Sequence, residues 1–132
     1  MKKDADTTPI YKFPKKEKLC SKILIDSLFS NGKSIYLYPF RIKYSLSSDP
    51  DASNHQFLAT VPKRNFKRAV DRNLLKRRIK EAYRLNKSLC LDFDDSGEFF
   101  NIAYIYIAKE IHDYQLMEAK LIDTLKRLKA KK

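Results

Sequence analysis

The stretch KRNFKRAVDRNLLKRRIKEAYR, residues Lys63 to Arg84, decides how this chain is read. Ten of its 22 residues are Lys or Arg, against two acids, Asp71 and Glu81. It therefore holds +8 of a formal net charge of +12 in one sixth of the 132 residues. Apolar residues interleave the charges at helical spacing, so the stretch predicts a folded helix from about Lys67 to about Leu89 rather than a loose tail. A folded basic surface of this density usually meets a polyanion, most often nucleic acid.

When the helix is advanced by ~100° per residue, Arg72, Lys76, Lys80, Asn73, Arg84 and Arg77 fall within an arc of roughly 140°. Leu75, Ile79, Ala82 and Tyr83 line one side of that arc, and Val70, Leu74 and Leu85 the other. The helix is expected to be bedded by both flanks and to present a cationic ridge. Asn73, in the middle, can donate and accept at once, which suits a ribose hydroxyl or a base edge. A merely solvated face predicts mixed signs with partners three or four residues away. Here Glu81 can pair with Arg77 or Arg78, and Asp71 with Arg68 or Lys67, which leaves six basic residues without a local partner. Strands, not a short helix and tight turn, precede the basic helix, which argues against a helix-turn-helix. A membrane-surface helix needs a broad exposed apolar face, and Tyr83 alone is too little.

Upstream, KKEKLCSKILIDSLFSNG carries Leu19, Ile23, Leu24, Leu28 and Phe29 at helical spacing, with Gly32 where a C-terminal cap belongs. Residues Ser34 to Leu46 are β-prone, and from Phe40 the apolar Phe40, Ile42 and Tyr44 alternate with Arg41, Lys43 and Ser45. SSDPDASNH is a turn-forming loop, and QFLATV a further strand closed by Pro62. Downstream, LDFDDSGE is an acidic loop, and FFNIAYIYIA is apolar almost throughout, which places it inside a sheet. Asp113 is the expected N-cap of a last helix, whose stripe is Leu116, Met117, Leu121, Ile122, Leu125 and Leu128. The order is helix, two or three strands, helix, strand, helix: an α/β sandwich of a small sheet and packed helices. The segment 1–14 reads as a mobile arm and 15–132 as one domain.

No apolar run approaches the ~20 residues of a membrane span, and the N-terminus lacks the apolar core of a secretory signal. Cys20 and Cys90 lie far apart, as two thiols of a reducing cytosol would; a cytoplasmic protein without membrane contact is expected. Two glycines, Gly32 and Gly97, exclude a Walker loop and a dinucleotide fingerprint. His55 and His112 each stand without a spaced ligand companion, so no metal site is read on them. Asp92, Asp94, Asp95 and Glu98 read as a polar loop before a weak divalent-ion site. No catalytic nucleophile sits in a recognisable frame; any part in catalysis is expected to lie in binding.

Lys63-Arg64-Asn65-Phe66-Lys67-Arg68-Ala69-Val70, then Arg72-Asn73, Lys76-Arg77, Lys80-Glu81 and Arg84, resemble the signature of the bacterial ribonuclease P protein component. Leu19, Phe29 and Gly32 fit that family's first helix and Phe40 its strand, so the resemblance spans about residues 15 to 130. It implies an α-β-β-β-α-β-α order, an α+β two-layer sandwich with a left-handed crossover at the basic helix. It implies a protein that joins a catalytic RNA, one protein per RNA, in an endoribonuclease that removes the 5′ leader of precursor tRNA. The RNA subunit would carry the Mg²⁺ and the hydrolysis; the protein would add leader affinity and lower the magnesium requirement. The residues implied for RNA binding are Lys63, Arg64, Asn65, Lys67, Arg68, Arg72, Asn73, Lys76, Arg77, Lys80 and Arg84. Phe29 and Phe40 would line a leader cleft between the first helix and the sheet, joined by Arg41 and Lys43 if their strand face is the one that lines it. Ile25 stands where many members carry a second aromatic, and stacks less well on a base. Leu74 replaces an arginine of the family motif, for which Arg78 is a candidate substitute, and Lys80 replaces another, losing the bidentate fork. Arg72→Ala and Arg77→Ala are both expected to weaken RNA binding and leave the fold intact. The alternative from another class is a structural RNA-binding protein of the ribosome or its assembly.

Overall fold

The computed structural model describes residues 18–19, 21–47, 55–90 and 99–130. The expected N-terminal arm, the acidic loop with Asp92, Asp94, Asp95 and Glu98, the Cys20 and Cys90 side chains and most of the SSDPDASNH loop lie outside them. The elements run α1 (Lys22–Asn31), β1 (Lys33–Leu37), β2 (Phe40–Leu46), β3 (Gln56–Thr60), α2 (Ala69–Cys90), β4 (Phe100–Tyr106) and α3 (Tyr114–Ala130). The β-prone Ser34–Leu46 stretch is thus two strands, turned at Tyr38–Pro39, which are joined by a cis peptide bond. The sheet order is β1-β2-β4-β3. β4 is antiparallel to β2 and parallel to β3, so α2 is the crossover between two parallel neighbours.

The interior position of β4 explains its unbroken apolar run. Ile102 and Tyr104 turn into the main core and Ala103 turns the other way, yet all three are fully buried. On the main-core face, Phe40, Ile42 and Tyr44 of β2 and Phe57 and Ala59 of β3 meet Leu75, Ile79, Ala82 and Tyr83 of α2. Met117, Leu121, Leu125 and Leu128 of α3 complete that layer. Burying each large side chain contributes roughly 1.5–3 kcal/mol of transfer free energy. Phe57 stacks on Tyr83 at 4.0 Å, and the buried Tyr104 and Thr124 hydroxyls satisfy each other. Asp113 caps α3 as expected, accepting from Leu116 N at 2.9 Å. The α3 stripe is buried at four of its six expected positions, with Leu116 and Ile122 half-buried.

α1 lies on the opposite face. Leu28, with Leu19 just before the helix, packs on Ala103, flanked by Ile25 and Leu58. Ser21 caps its start. The expected five-residue stripe is narrower than its spacing suggested: Ile23 is 80% exposed, and Leu24 and Phe29 are also exposed. A single short helix on one row of a sheet buries only the residues that point straight down. Gly32 ends α1 with extended backbone, not a left-handed cap. Its requirement is space: a Cβ there would stand 2.9 Å from Leu28 Cδ1 and 3.2 Å from the Tyr44 carbonyl oxygen.

Candidate nucleic-acid interface

β3 runs out through Val61 and Pro62 into a turn at Lys63, Arg64 and Asn65, closed by Asn65 N donating to Pro62 O. Phe66 anchors the turn in the core against Tyr106. Lys63, Arg64, Lys67 and Arg68 are therefore held at the surface by a buried neighbour rather than on a floating loop, and Asn65 is half-buried beside them. Beyond the turn, α2 buries Leu75, Ile79, Ala82 and Tyr83. Its opposite flank is not bedded as expected: Val70 is 66% exposed, and Leu74 and Leu85 are half-buried. Asn73, Arg77 and Lys80 are exposed and Lys76 is half-exposed, so these members of the expected ridge do reach solvent.

Other members of the expected set have local duties. Arg72 turns back on the chain, its Nη1 donating to Phe66 O at 2.8 Å and Lys67 O at 2.9 Å. It braces the turn that carries the other cations. Arg78 donates to His112 O at 2.7 Å, tying α2 to the segment before α3. It is half-buried there and does not replace the arginine that Leu74 displaces. Arg84 grips Glu81 with two bonds, 3.0 Å from Nε and 2.8 Å from Nη2. That bond holds the Glu81 carboxyl below its usual range. Glu81 thus pairs with Arg84 and with neither Arg77 nor Arg78, the latter being committed to the His112 carbonyl. Arg68 stands 3.9 Å from Asp71, as expected. Among the described residues, Lys63, Arg64, Lys67, Lys76, Arg77 and Lys80 have no carboxylate partner, and they form a cationic surface without local neutralisation.

The second expected region divides by sheet face. Phe40 is fully buried in the main core, edge-on to Tyr104 and Tyr106, and cannot meet a leader. The alternation that marked β2 as two-faced put its apolar residues inward, Phe40 among them. Arg41 and Lys43 stand on the α1 face, half-exposed. Lys43 Nζ donates to Gly32 O at 3.4 Å, so it sits at the end of α1. Ile25 is half-buried under α1, and Phe29, one position past the buried Leu28, is 36% exposed. α1, Arg41 and Lys43 therefore come together, with Phe29 partly open beside them. Tyr36, absent from the expected set, joins this face: it pairs with Arg41 across β1 and β2, with the guanidinium 5.4 Å from its ring centre. Alternation counted straight back from Arg41 falls on Leu37 and Ile35; only the hairpin register, with Tyr36 opposite Arg41, brings it to this face.

The two histidines have partners the sequence did not reveal. His55 is buried, its Nδ1 accepting from Phe100 N at 2.9 Å. His112 Nε2 lies 3.1 Å from the Tyr38 hydroxyl and 3.7 Å from Glu110. Among the described residues no three or more His, Cys, Asp and Glu side chains gather to hold a metal ion. Among them, too, no helix is long and apolar enough to cross a membrane.

A family model described as Ribonuclease P matches residues 13–129. The chain is 34% identical over 121 residues to the ribonuclease P protein component of Porphyromonas gingivalis W83, covering 91% of this chain and 88% of that one. It is 29% identical over 127 residues to the component of Petrotoga mobilis, covering 89% and 96%. Among solved structures, the RNase P protein from Thermotoga maritima superposes with a TM-score of 0.66 at 25% identity, covering 84% of this chain and 96% of that one. A mutant Staphylococcus aureus RNase P protein shares the fold with a TM-score of 0.71 at 21% identity, over 87% and 90% of the two chains.

Proposed function

Because the chain belongs to the ribonuclease P protein family, we propose that it is the protein subunit of a ribonuclease P ribonucleoprotein, one protein per RNA, and acts in removing the 5′ leader of precursor tRNA. The observation that carries this is the grouping of Lys63, Arg64, Lys67, Lys76, Arg77 and Lys80 on a braced turn and the helix that follows it. Cations without carboxylate partners repel one another, and phosphates relieve that repulsion on binding by releasing their counterions. Asn73, exposed among them, supplies a donor and an acceptor for a ribose hydroxyl.

The chain's part is binding and orientation. The cationic turn and α2 hold the catalytic RNA. The α1 face, with Phe29, Arg41 and Lys43, takes the leader as an extended single strand, tolerating its sequence because stacking and phosphate contacts read no base edge. Holding the leader fixes the precursor against the RNA and turns an encounter into an oriented complex. Mg²⁺ held by the RNA would supply an activated water and neutralise the leaving oxygen. Cations delivered by the protein lower the amount of Mg²⁺ needed to screen the assembled phosphates.

The test is cleavage of a precursor tRNA by a bacterial ribonuclease P RNA at low Mg²⁺, with and without the folded protein. Stimulated release of the leader is expected. No stimulation, with the RNA active at high Mg²⁺, overturns the proposal in favour of a general structural RNA binder.

A further inference from the structure

The α1 face of the sheet carries side chains in rows across the strands. One row is Ser34, Lys43, Ala103 and Leu58, of which Ala103 and Leu58 pack with α1 and Lys43 bonds the Gly32 carbonyl at its end. The next is Tyr36 on β1, Arg41 on β2, Ile105 on β4 and Thr60 on β3. Tyr36 is 62% exposed, and Arg41, Ile105 and Thr60 are half-exposed. The row spans about 14 Å, three strand spacings. At its β3 end, Thr60 leads through Val61 and Pro62 to Lys63 and Arg64.

We propose that Tyr36 and Arg41 form a stacking site for one base of single-stranded RNA at the β1 edge of this row. The proposal deepens the leader-binding reading above and rests on it. Three observations converge. The Tyr36 ring stands largely in solvent on an edge strand, where an aromatic has little to pack against. The Arg41 guanidinium lies 5.4 Å from its centre, supporting one side of the ring and placing a positive charge beside it. Among the described residues Arg41 Nε has no hydrogen-bond partner, and it is shielded from water in this pose. The side chain is half-exposed, so a small turn of the guanidinium offers a phosphate oxygen a charge-assisted bond that the buried Nε does not make. A base then stacks on the tyrosine, its phosphate meets Arg41, and the strand continues over Ile105 and Thr60 toward the Lys63 turn. The site reads no base edge, so any of the four bases fits.

The experiment uses the assembled ribonucleoprotein and precursor tRNAs with a single abasic nucleotide at successive leader positions. With the native protein, one position is expected to lose about tenfold in affinity, the size of one stacked base. Tyr36→Ala is expected to lose a similar factor on the intact leader and to become indifferent to the abasic change at that position alone. Tyr36→Phe keeps the ring and the native profile. Both variants are expected to melt like the native protein, because the side chain is mostly in solvent. Identical abasic profiles for native protein and Tyr36→Ala overturn the stacking site while leaving the stimulated cleavage intact. Absence of any stimulated cleavage by the native protein overturns the underlying reading and this site with it.

Discussion

Removing Arg77 and Lys80 together should change the salt dependence of RNA binding by a countable amount. Six basic side chains, Lys63, Arg64, Lys67, Lys76, Arg77 and Lys80, reach solvent without a carboxylate partner among the described residues. If each neutralises one phosphate, the log–log slope of affinity against salt is about −4.8, at ~0.8 per phosphate. Affinity then falls about 800-fold between about 50 and 200 mM salt. Arg77→Ala with Lys80→Ala leaves four contacts, a slope of about −3.2, and a fall of only about 85-fold over the same range. The control is Glu81→Ala with Arg84→Ala, which removes an opposite-charge pair already bonded at 2.8 Å and leaves the net charge as it was. Its slope should match the native protein's. The assay is titration of a labelled bacterial ribonuclease P RNA at five or so salt concentrations. An unchanged slope in the first variant, or an equal reduction in the neutral control, would refute the division between working and committed cations.

Phe40→Ala should destabilise the fold by about 3–5 kcal/mol, as a large buried aromatic does when truncated; a normal thermal melt with weakened leader affinity would return Phe40 to the cleft. Arg72→Ala loses the bonds to Phe66 O and Lys67 O and should cost about 2 kcal/mol in urea denaturation. The exposed Arg77→Ala should stay within about 0.5 kcal/mol, and equal costs would show that Arg72 braces nothing. Tyr114 is pushed up to about 12 from 10.0 by burial, with help from the Glu118 charge. The folded state therefore holds this proton more tightly than the open chain, and its contribution is intact below the unfolded value and lost as pH rises from about 10 to 12. Tyr114→Phe should flatten the alkaline loss of stability in that window, and an unchanged profile would remove Tyr114 as its source.

Much of the architecture was legible because its signals are local. The apolar run of β4, the basic stretch of α2 and the Asp113 cap each declare themselves within a few residues. What escaped depends on neighbours distant in sequence. The alternation of β2 gives two faces but not which one α1 covers, which left Arg41 and Lys43 open; Phe40 entered the cleft only through the family resemblance, and it sits in the core. Tyr36 was hidden because a turn inside one β-prone stretch restarts the alternation. The charge count on α2 was right, but a count cannot show that Arg72 bonds to backbone carbonyls, that Arg78 holds His112 O or that Glu81 selects Arg84. Those choices are made by tertiary placement. Helical spacing located α1, yet how few of its apolar residues find cover is set by the width of the sheet row beneath it.

The central place of β4 also governs the order in which the molecule can be made. Its two partners, β2 and β3, both precede it, and it closes the sheet only after residues 100–106 are available. Until then a growing chain has a two-strand hairpin, a β3 not yet joined to it, and a highly charged α2 whose Leu75 and Ile79 lack the central strand that completes the layer beneath them. Closing that gap joins segments far apart in the chain, a slow class of event, and like charges along α2 oppose compaction meanwhile. A polyanion that favours the folded surface over the open chain shifts that balance by mass action. On the function proposed above, the RNA partner would thus also assist the protein's folding.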